Sequence, residues 1–188
     1  MSSAHEIIIA GFGGQGVLSM GQILAYAAMV DGKEVSWMPS YGPEIRGGTA
    51  NCIVIISDTR ISSPIVTMFD SAIILNQPSL DKFLPRIKPG GLLVYEKSTI
   101  IKMPTRPDIE ILEIAGIQEA QALNSKQVAN VVMLGAFLSR RRVVQPENVV
   151  KALKQVLPAH RLHLLPINEQ ALLRGKELAQ RVAEPVMA

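Results

Sequence analysis

Residues 7–16 read Ile-Ile-Ile-Ala-Gly-Phe-Gly-Gly-Gln-Gly, an apolar run that meets glycines at 11, 13 and 16 in G-x-G-x-x-G spacing. Apolar residues then recur at Val17, Met20, Leu24, Ala27 and Ala28, about one helical turn apart, as far as Asp31-Gly32. A buried strand, a glycine turn and an amphipathic helix in succession open an α/β unit. In such a turn Gly11 permits the tight bend, Gly13 lets a ligand approach the backbone, and Gly16 lets helix pack on strand. The free amides at the start of the following helix attract phosphate.

Working outward, residues 34–38 are predicted to be a second strand and 39–48 a polar, glycine-rich loop. The β-prone run 49–57 follows, and Asp58-Thr59 suggests a turn into a partner strand near 60–66. Further strands fit 71–75, 92–95 and 109–114, with a short helix over 78–86 and a turn at Pro89-Gly90-Gly91. Helical periodicity then dominates at 116–123, 127–141 and 146–157, and Asn168 is placed to cap a last helix. The expected fold is Rossmann-like α/β: a mostly parallel sheet with flanking helices, an antiparallel hairpin near 49–66 and a helical C-terminal region. One domain spans 1–188, with 1–126 as the sheet core and 127–188 as helices packed on it. Ligands of such sheets sit beyond the carboxyl ends of the strands, where the loops 11–16 and 39–48 both belong.

Composition narrows the class. The chain is 48% apolar, yet no apolar run reaches the roughly 18–20 residues that span a bilayer, and no basic-then-apolar leader opens it. A cytoplasmic protein without a membrane segment is expected. Residues 1–137 hold 10 Lys/Arg and 12 Asp/Glu, whereas 138–188 hold 9 and 4. A basic C-terminal third can bind nucleic acid or an acidic partner. Here the charges interleave with apolar residues at helical spacing, which reads as a solvated helical face and not as a nucleic-acid site. The single cysteine, Cys52, excludes an internal disulfide and any all-cysteine metal or iron–sulfur site built from this chain alone. His5, His160 and His163 are scattered, and no serine has a His/Asp arrangement around it. The sequence therefore offers no catalytic set and no metal site of its own.

What it offers is a cradle. The residues of the first loop, Gly11, Gly13, Gly14, Gln15 and Gly16, are candidate cofactor-binding positions. A dinucleotide site would add an acid at the end of the second strand for the ribose hydroxyls, and that end reads Trp37-Met38-Pro39-Ser40. NAD(P) or FAD, another phosphate-bearing ligand and a purely structural glycine turn remain as readings. The second loop carries Tyr41, Glu44, Arg46, Gly47 and Gly48 as interface or ligand-clamp candidates. Arg46 could hold a phosphate or carboxylate in a two-pronged grip, or pair with Glu44. Asn76-Gln77 would close a strand on the same edge, reading a polar ligand or capping the next helix.

Taken together, Ile9-Ala-Gly-Phe-Gly-Gly-Gln-Gly-Val17 and Pro39-Ser-Tyr-Gly-Pro-Glu-Ile-Arg-Gly-Gly-Thr-Ala-Asn-Cys52 resemble the gamma subunit of 2-oxoacid:ferredoxin oxidoreductases. The likeness continues through residues 56–58, 63–66, 75–80 and 89–91 to Asn168-x-x-Ala171-x-x-x-Gly175. The resemblance implies a complex that oxidatively decarboxylates a 2-oxoacid, with 2-oxoglutarate favoured over branched-chain 2-oxoacids and pyruvate. The products are an acyl-CoA, CO2 and reduced ferredoxin. It implies alpha and beta partner subunits carrying thiamine diphosphate, Mg and iron–sulfur clusters, with a ferredoxin-like delta subunit as an optional fourth chain. It also implies that Gly11, Gly13, Gly14, Gln15 and Gly16 face the phosphate-bearing part of coenzyme A in a shared site, while Tyr41 to Gly48 lie at the subunit interface. Without partners such a chain should expose apolar surface and form a homodimer. The rival reading is a free-standing NAD- or FAD-binding regulatory or redox module.

Overall fold

A computed structural model describes residues 4–42 and 48–183. The apolar run opens strand β1 (His5–Phe12), and the periodic segment after it is helix α1 (Val17–Val30). Strands β2 (Glu34–Tyr41) and β3 (Thr49–Ser57) follow, then β4 (Phe69–Ile74) and the short helix α2 (Gln77–Phe83). Strands β5 (Ile87–Glu96) and β6 (Glu110–Ile114) complete the sheet. Helices α3 (Gly116–Ala122), α4 (Ala129–Arg140), α5 (Pro146–Val156) and α6 (Leu165–Ala183) close the chain. No helix among the described residues is long and apolar enough to cross a membrane.

The six strands lie in the order β2-β3-β1-β4-β5-β6. β1, β4, β5 and β6 pair in parallel, and β3 runs antiparallel to both β1 and β2. The mixed α/β fold is the one the sequence pattern predicts, with one correction inside it. The antiparallel strand exists at 49–57, but its partner is not 60–66, which forms no strand. Both edges of β3 are already taken, by β1 from Phe12↔Thr49 to His5↔Ile56 and by β2 from Tyr41↔Ala50 to Glu34↔Ser57. β2 also extends past its predicted end through Pro39. It lies at the sheet's edge, where a missing N–H leaves no ladder bond unmade.

Two further expectations shift in the same way. The predicted Pro89-Gly90-Gly91 turn lies inside β5 as a bulge, because pairing advances from Phe69 to Ser71 on β4 while it advances from Ile87 to Leu92 on β5. Asn168 does not cap the last helix. α6 begins at Leu165, and the Asn168 amide donates to the Leu164 carbonyl at 2.7 Å. The cap that matters more is remote. Asp31, after α1, accepts from the Gln145 N–H at 2.8 Å and from the Asn148 amide, anchoring the start of α5.

The sheet's two faces are covered unequally. Ile7, Ile9, Cys52, Val54, Ile73, Val94 and Leu112 meet α1 and the C-terminal helices in the larger core. Ile8, Ala10, Ile55, Ile74, Leu93 and Tyr95 face the other way, onto Leu80 and Phe83 of α2 and onto Val66 and Ile100 of irregular segments. At the amino edge of the sheet, Lys88 bridges Glu6 (2.7 Å) and Asp70 (2.8 Å). Burial acts to lower the Lys88 pKa, and the two carboxylate hydrogen bonds outweigh it, so the value rises.

The tightest packing lies between α4 and α6. A Cβ on Gly135 would strike the Leu172 carbonyl, and one on Gly175 would strike the Val132 carbonyl and come within 2.8 Å of the Ala136 nitrogen. Buried Ala171 and Ala179 flank Gly175 at i−4 and i+4, so α6 presents a stripe of small residues on which α4 rides. Because backbone atoms cannot turn aside, Gly175→Ala should cost about 1–3 kcal/mol. That lowers the melting temperature by about 2–4 °C per kcal/mol. The exposed neighbour Lys176→Ala serves as the control and should stay within about 0.5 kcal/mol of wild type. Equal melting curves for the two variants contradict this packing.

Candidate functional site

β1 has α1 leading away from it toward β2, while β4 continues the sheet on the other side toward β5 and β6. The crevice between the carboxyl ends of β1 and β4 is thus the point where chain direction reverses, the usual ligand position in open α/β sheets. The first glycine loop sits there. Gly13 N–H donates to the Gly48 carbonyl at 2.9 Å, so the two glycine-rich loops named from the sequence meet. Their register explains it: Phe12 pairs with Thr49 and Tyr41 with Ala50, which brings both loop ends to one edge. Glu44, Arg46 and Gly47 lie outside the described residues, as does the side chain of Tyr41.

Within the first loop the residues divide by role. Gly14 has φ +93° and Gly16 φ +78°, backbone that favours glycine. Gly14 is exposed, with nothing within 4 Å of where a Cβ would stand. Gly16 is the N-cap of α1 and supplies no side-chain cap, so among the described residues no side chain receives the first amides of this 14-residue helix. No acidic residue occupies that first turn. This is a backbone-built anion cradle, with positive partial charge from the helix behind it.

Gly11 and Gln15 work inward. A Cβ on Gly11 would come within 2.6 Å of Gln15 Oε1 and 2.9 Å of Leu75 Cβ, so the missing side chain makes room for Gln15. Gln15 Oε1 accepts from the Phe12 N–H at 2.7 Å, and its Nε2 donates to the Leu75 carbonyl at 3.2 Å. Gln15 therefore spans the crevice from β1 to the end of β4. Gly16 likewise makes room for Asn130 of α4, whose Nδ2 reaches the Gly16 carbonyl at 3.4 Å.

Asn76 and Gln77 settle into specific roles. Asn76 Oδ1 caps α2 by accepting from the Ser79 N–H at 2.9 Å. Its Nδ2 is buried with no hydrogen-bond partner among the described residues, as is Asn130 Oδ1. A buried unpartnered polar atom costs about 1–3 kcal/mol, and Asn130 Oδ1 belongs to the side chain that packs on Gly16 of the loop. Gln77 Oε1 accepts from the N–H groups of Ile101 and Lys102, both at 2.9 Å. The sequence did not single out Asn130 or Thr99. Thr99 Oγ1 donates to the Leu75 carbonyl at 2.9 Å, but no local pattern marks a residue 84 positions from Gln15 as its neighbour.

Elsewhere the titratable groups are committed to structure. His5 Nε2 lies 2.9 Å from Ser71 Oγ, and burial holds its pKa below the ordinary histidine value. Glu96, fully buried, accepts from the Ser98 N–H and hydroxyl and from the Ile117 N–H at 3.0 Å. Burial, and then the hydrogen bond that Tyr95 O–H donates to Glu113 at 2.7 Å, raise the phenol pKa; that bond and Lys97 lower the pKa of Glu113. Among the described residues no group of three or more His, Cys, Asp or Glu is placed to hold a metal. Cys52 is buried beneath α1, with its thiol reaching the Val17 carbonyl at 3.6 Å, and burial pushes its pKa up to about 12. At pH 8 the thiolate is then about one part in ten thousand. The folded chain should resist a thiol reagent such as Ellman's, and denaturant should release one reactive thiol per chain. Rapid labelling of the native protein contradicts the burial.

Comparison with known proteins meets this geometry from outside. Residues 6–178 match the family model described as pyruvate ferredoxin/flavodoxin oxidoreductase. A curated relative, ketoisovalerate oxidoreductase subunit VorA of Methanothermobacter thermautotrophicus, is 37% identical over 179 residues. The match covers 95% of this chain and 37% of that protein, so this chain spans under two fifths of its relative's length. The crystal structure of the keto/oxoacid ferredoxin oxidoreductase gamma subunit of Geobacter sulfurreducens is 33% identical, with a TM-score of 0.81, covering 94% of this chain and 99% of that one. A 2-oxoglutarate:ferredoxin oxidoreductase from Magnetococcus marinus, solved with 2-oxoglutarate, coenzyme A and succinyl-CoA bound, is 26% identical with a TM-score of 0.86. That match covers 97% of this chain and 32% of the neighbour's. The likeness to gamma subunits read from the two glycine loops is borne out.

Proposed function

The chain belongs to the pyruvate ferredoxin/flavodoxin oxidoreductase family, and we propose that it is the gamma subunit of a multi-subunit 2-oxoacid:ferredoxin oxidoreductase and forms one wall of its coenzyme A site. The activity of the assembly is oxidative decarboxylation of a 2-oxoacid, 2-oxoglutarate being favoured, to an acyl-CoA, CO2 and reduced ferredoxin. Alpha and beta chains supply thiamine diphosphate, Mg and the iron–sulfur clusters, with a ferredoxin-like delta chain as an optional fourth. A single cysteine supports that division of labour, since this chain cannot ligate a cluster alone.

The observation that carries the reading is the start of α1 behind exposed Gly14, without a side-chain cap among the described residues, at the reversal point of the sheet. It offers amides and helix dipole to a phosphate and no group that reacts. Bound coenzyme A supplies the thiol that takes the acyl group. The chain's own residues bind and orient: the amides from Gly14 into α1 would hold phosphate, and the unpartnered Asn76 Nδ2 and Asn130 Oδ1 would meet polar atoms of the ligand. Holding the thiol carrier beside the partners' chemistry accelerates transfer through proximity alone. Gly13 N–H is spent on Gly48, so the end of the second loop reaches the same crevice.

The NAD or FAD alternative loses support from the topology. An acid reading the adenosine ribose belongs on the strand beside β1, and here β3 occupies that place, antiparallel, with its amino end at the site. β2 is displaced to about 10 Å from β1, two strand spacings away, and its last residues carry no acid.

A paired substitution tests the cradle. Asp and Asn fit left-handed backbone about equally, so Gly14→Asp and Gly14→Asn differ chiefly in charge. In the assembled enzyme Gly14→Asp should raise KM for coenzyme A about tenfold over Gly14→Asn. The gap should narrow as salt is added, with KM for the 2-oxoacid unchanged. Equal KM values for coenzyme A in the two variants contradict a phosphate at this helix start.

A further inference from the structure

We propose that Thr99 is a positioning residue for the coenzyme A cradle, acting through the carbonyl of Leu75. The inference rests on the coenzyme reading above and adds a residue that never touches the ligand. The Leu75 carbonyl leaves the sheet at the carboxyl end of β4 and receives two side-chain donors, Thr99 Oγ1 at 2.9 Å and Gln15 Nε2 at 3.2 Å. Thr99 Oγ1 also lies 3.2 Å from the Glu96 carbonyl, at the end of β5. The Leu75 N–H in turn donates to the Ala10 carbonyl of β1 at 2.9 Å. One residue thus ties together the ends of β1, β4 and β5.

The direction of control follows from the geometry of Gln15. Its Oε1 holds the Phe12 N–H while Nε2 of the same planar amide is docked on Leu75, so a shift of the Leu75 carbonyl is passed to the plane that carries both bonds. The Gln15 N–H closes the same turn on the Phe12 carbonyl at 3.2 Å. The path of Gly13 and Gly14 between those points is therefore held from two sides, by Gly48 at the Gly13 N–H and by the Leu75 carbonyl through Gln15. Thr99 fixes that direction from the far side. It is half-buried in a short 3-10 turn whose start is pinned by Glu96, through the Ser98 N–H at 3.1 Å and the Ser98 hydroxyl at 2.8 Å. The next residues are held by Gln77. The hydroxyl has a rigid seat, and it adds to the bonds that Gly48 and Asn130 make to the loop.

Two variants separate position from bulk. Thr99→Val keeps the shape and removes the donor, and Thr99→Ser keeps the donor. In the full chain, amide hydrogen exchange of Phe12, Gly13 and Gln15, whose N–H groups are bonded within the loop or to Gly48, should accelerate about fivefold in Thr99→Val, the worth of one hydrogen bond, and stay near wild type in Thr99→Ser. In the assembled enzyme KM for coenzyme A should rise by a similar factor in Thr99→Val alone, with kcat and KM for the 2-oxoacid unchanged. Unchanged loop exchange in Thr99→Val overturns the clasp. So does a parallel loss of kcat and of both KM values, which is the mark of a general structural role. If Thr99→Val loosens the loop while neither it nor Gly14→Asp moves KM for coenzyme A, the coenzyme reading fails and this role falls with it. If Gly14→Asp raises that KM and Thr99→Val does not, the cradle stands and the positioning role is wrong.

Discussion

Everything at the candidate site depends on strand β1 being held between an antiparallel neighbour and a parallel one. β3 takes its whole length, from His5 to Phe12, and β4 takes Ile7 to Ala10 from the other side. Saturated on both edges and buried on both faces, β1 ends in a loop whose start cannot move. The glycines then bend the chain into α1 at the point where the sheet reverses direction. Because β3 begins where β1 ends, the second glycine-rich loop is delivered to the same spot, and the Gly13–Gly48 hydrogen bond joins them. A parallel β3 would have put that loop at the opposite edge.

The period of the apolar residues made much of this legible. Ile7 to Ala10 and the i, i+3, i+7 recurrence after Gly16 could only be strand and helix, and the C-terminal helices declared themselves by the same rule. Strand propensity at 49–57 was equally plain, but propensity does not say which edges a strand will occupy. The nearest following apolar residues, 60–66, looked like the partner when the true partners lay on the amino-terminal side. The cap on α5 was hidden for a related reason. Asp31 acts across more than a hundred residues, so no window contains both ends.

The site divides along the same line. The glycine spacing and the missing ribose acid were local facts and pointed at a phosphate-bearing ligand. The inward roles of Gly11, Gln15 and Gly16 were not local. Gly11 and Gly16 leave room for side chains of this chain itself, Gln15 and Asn130, and Thr99 reaches Leu75 from the turn after β5. Conformationally the loop uses its glycines at 14 and 16, and sterically at 11 and 16, so one motif serves packing and recognition at once. On the proposed reading this is economical: a chain without reactive groups contributes a rigid, electrically biased surface, and the partner chains contribute the chemistry.

The most direct measurement is the structure of the assembled enzyme with coenzyme A bound. The account predicts the coenzyme's phosphate oxygens within hydrogen-bond distance of the amides between Gly14 and the first turn of α1, at the crevice between β1 and β4, with the Gln15 side chain still docked on Leu75. Coenzyme A bound with its phosphates elsewhere, and solvent over Gly14, would contradict it.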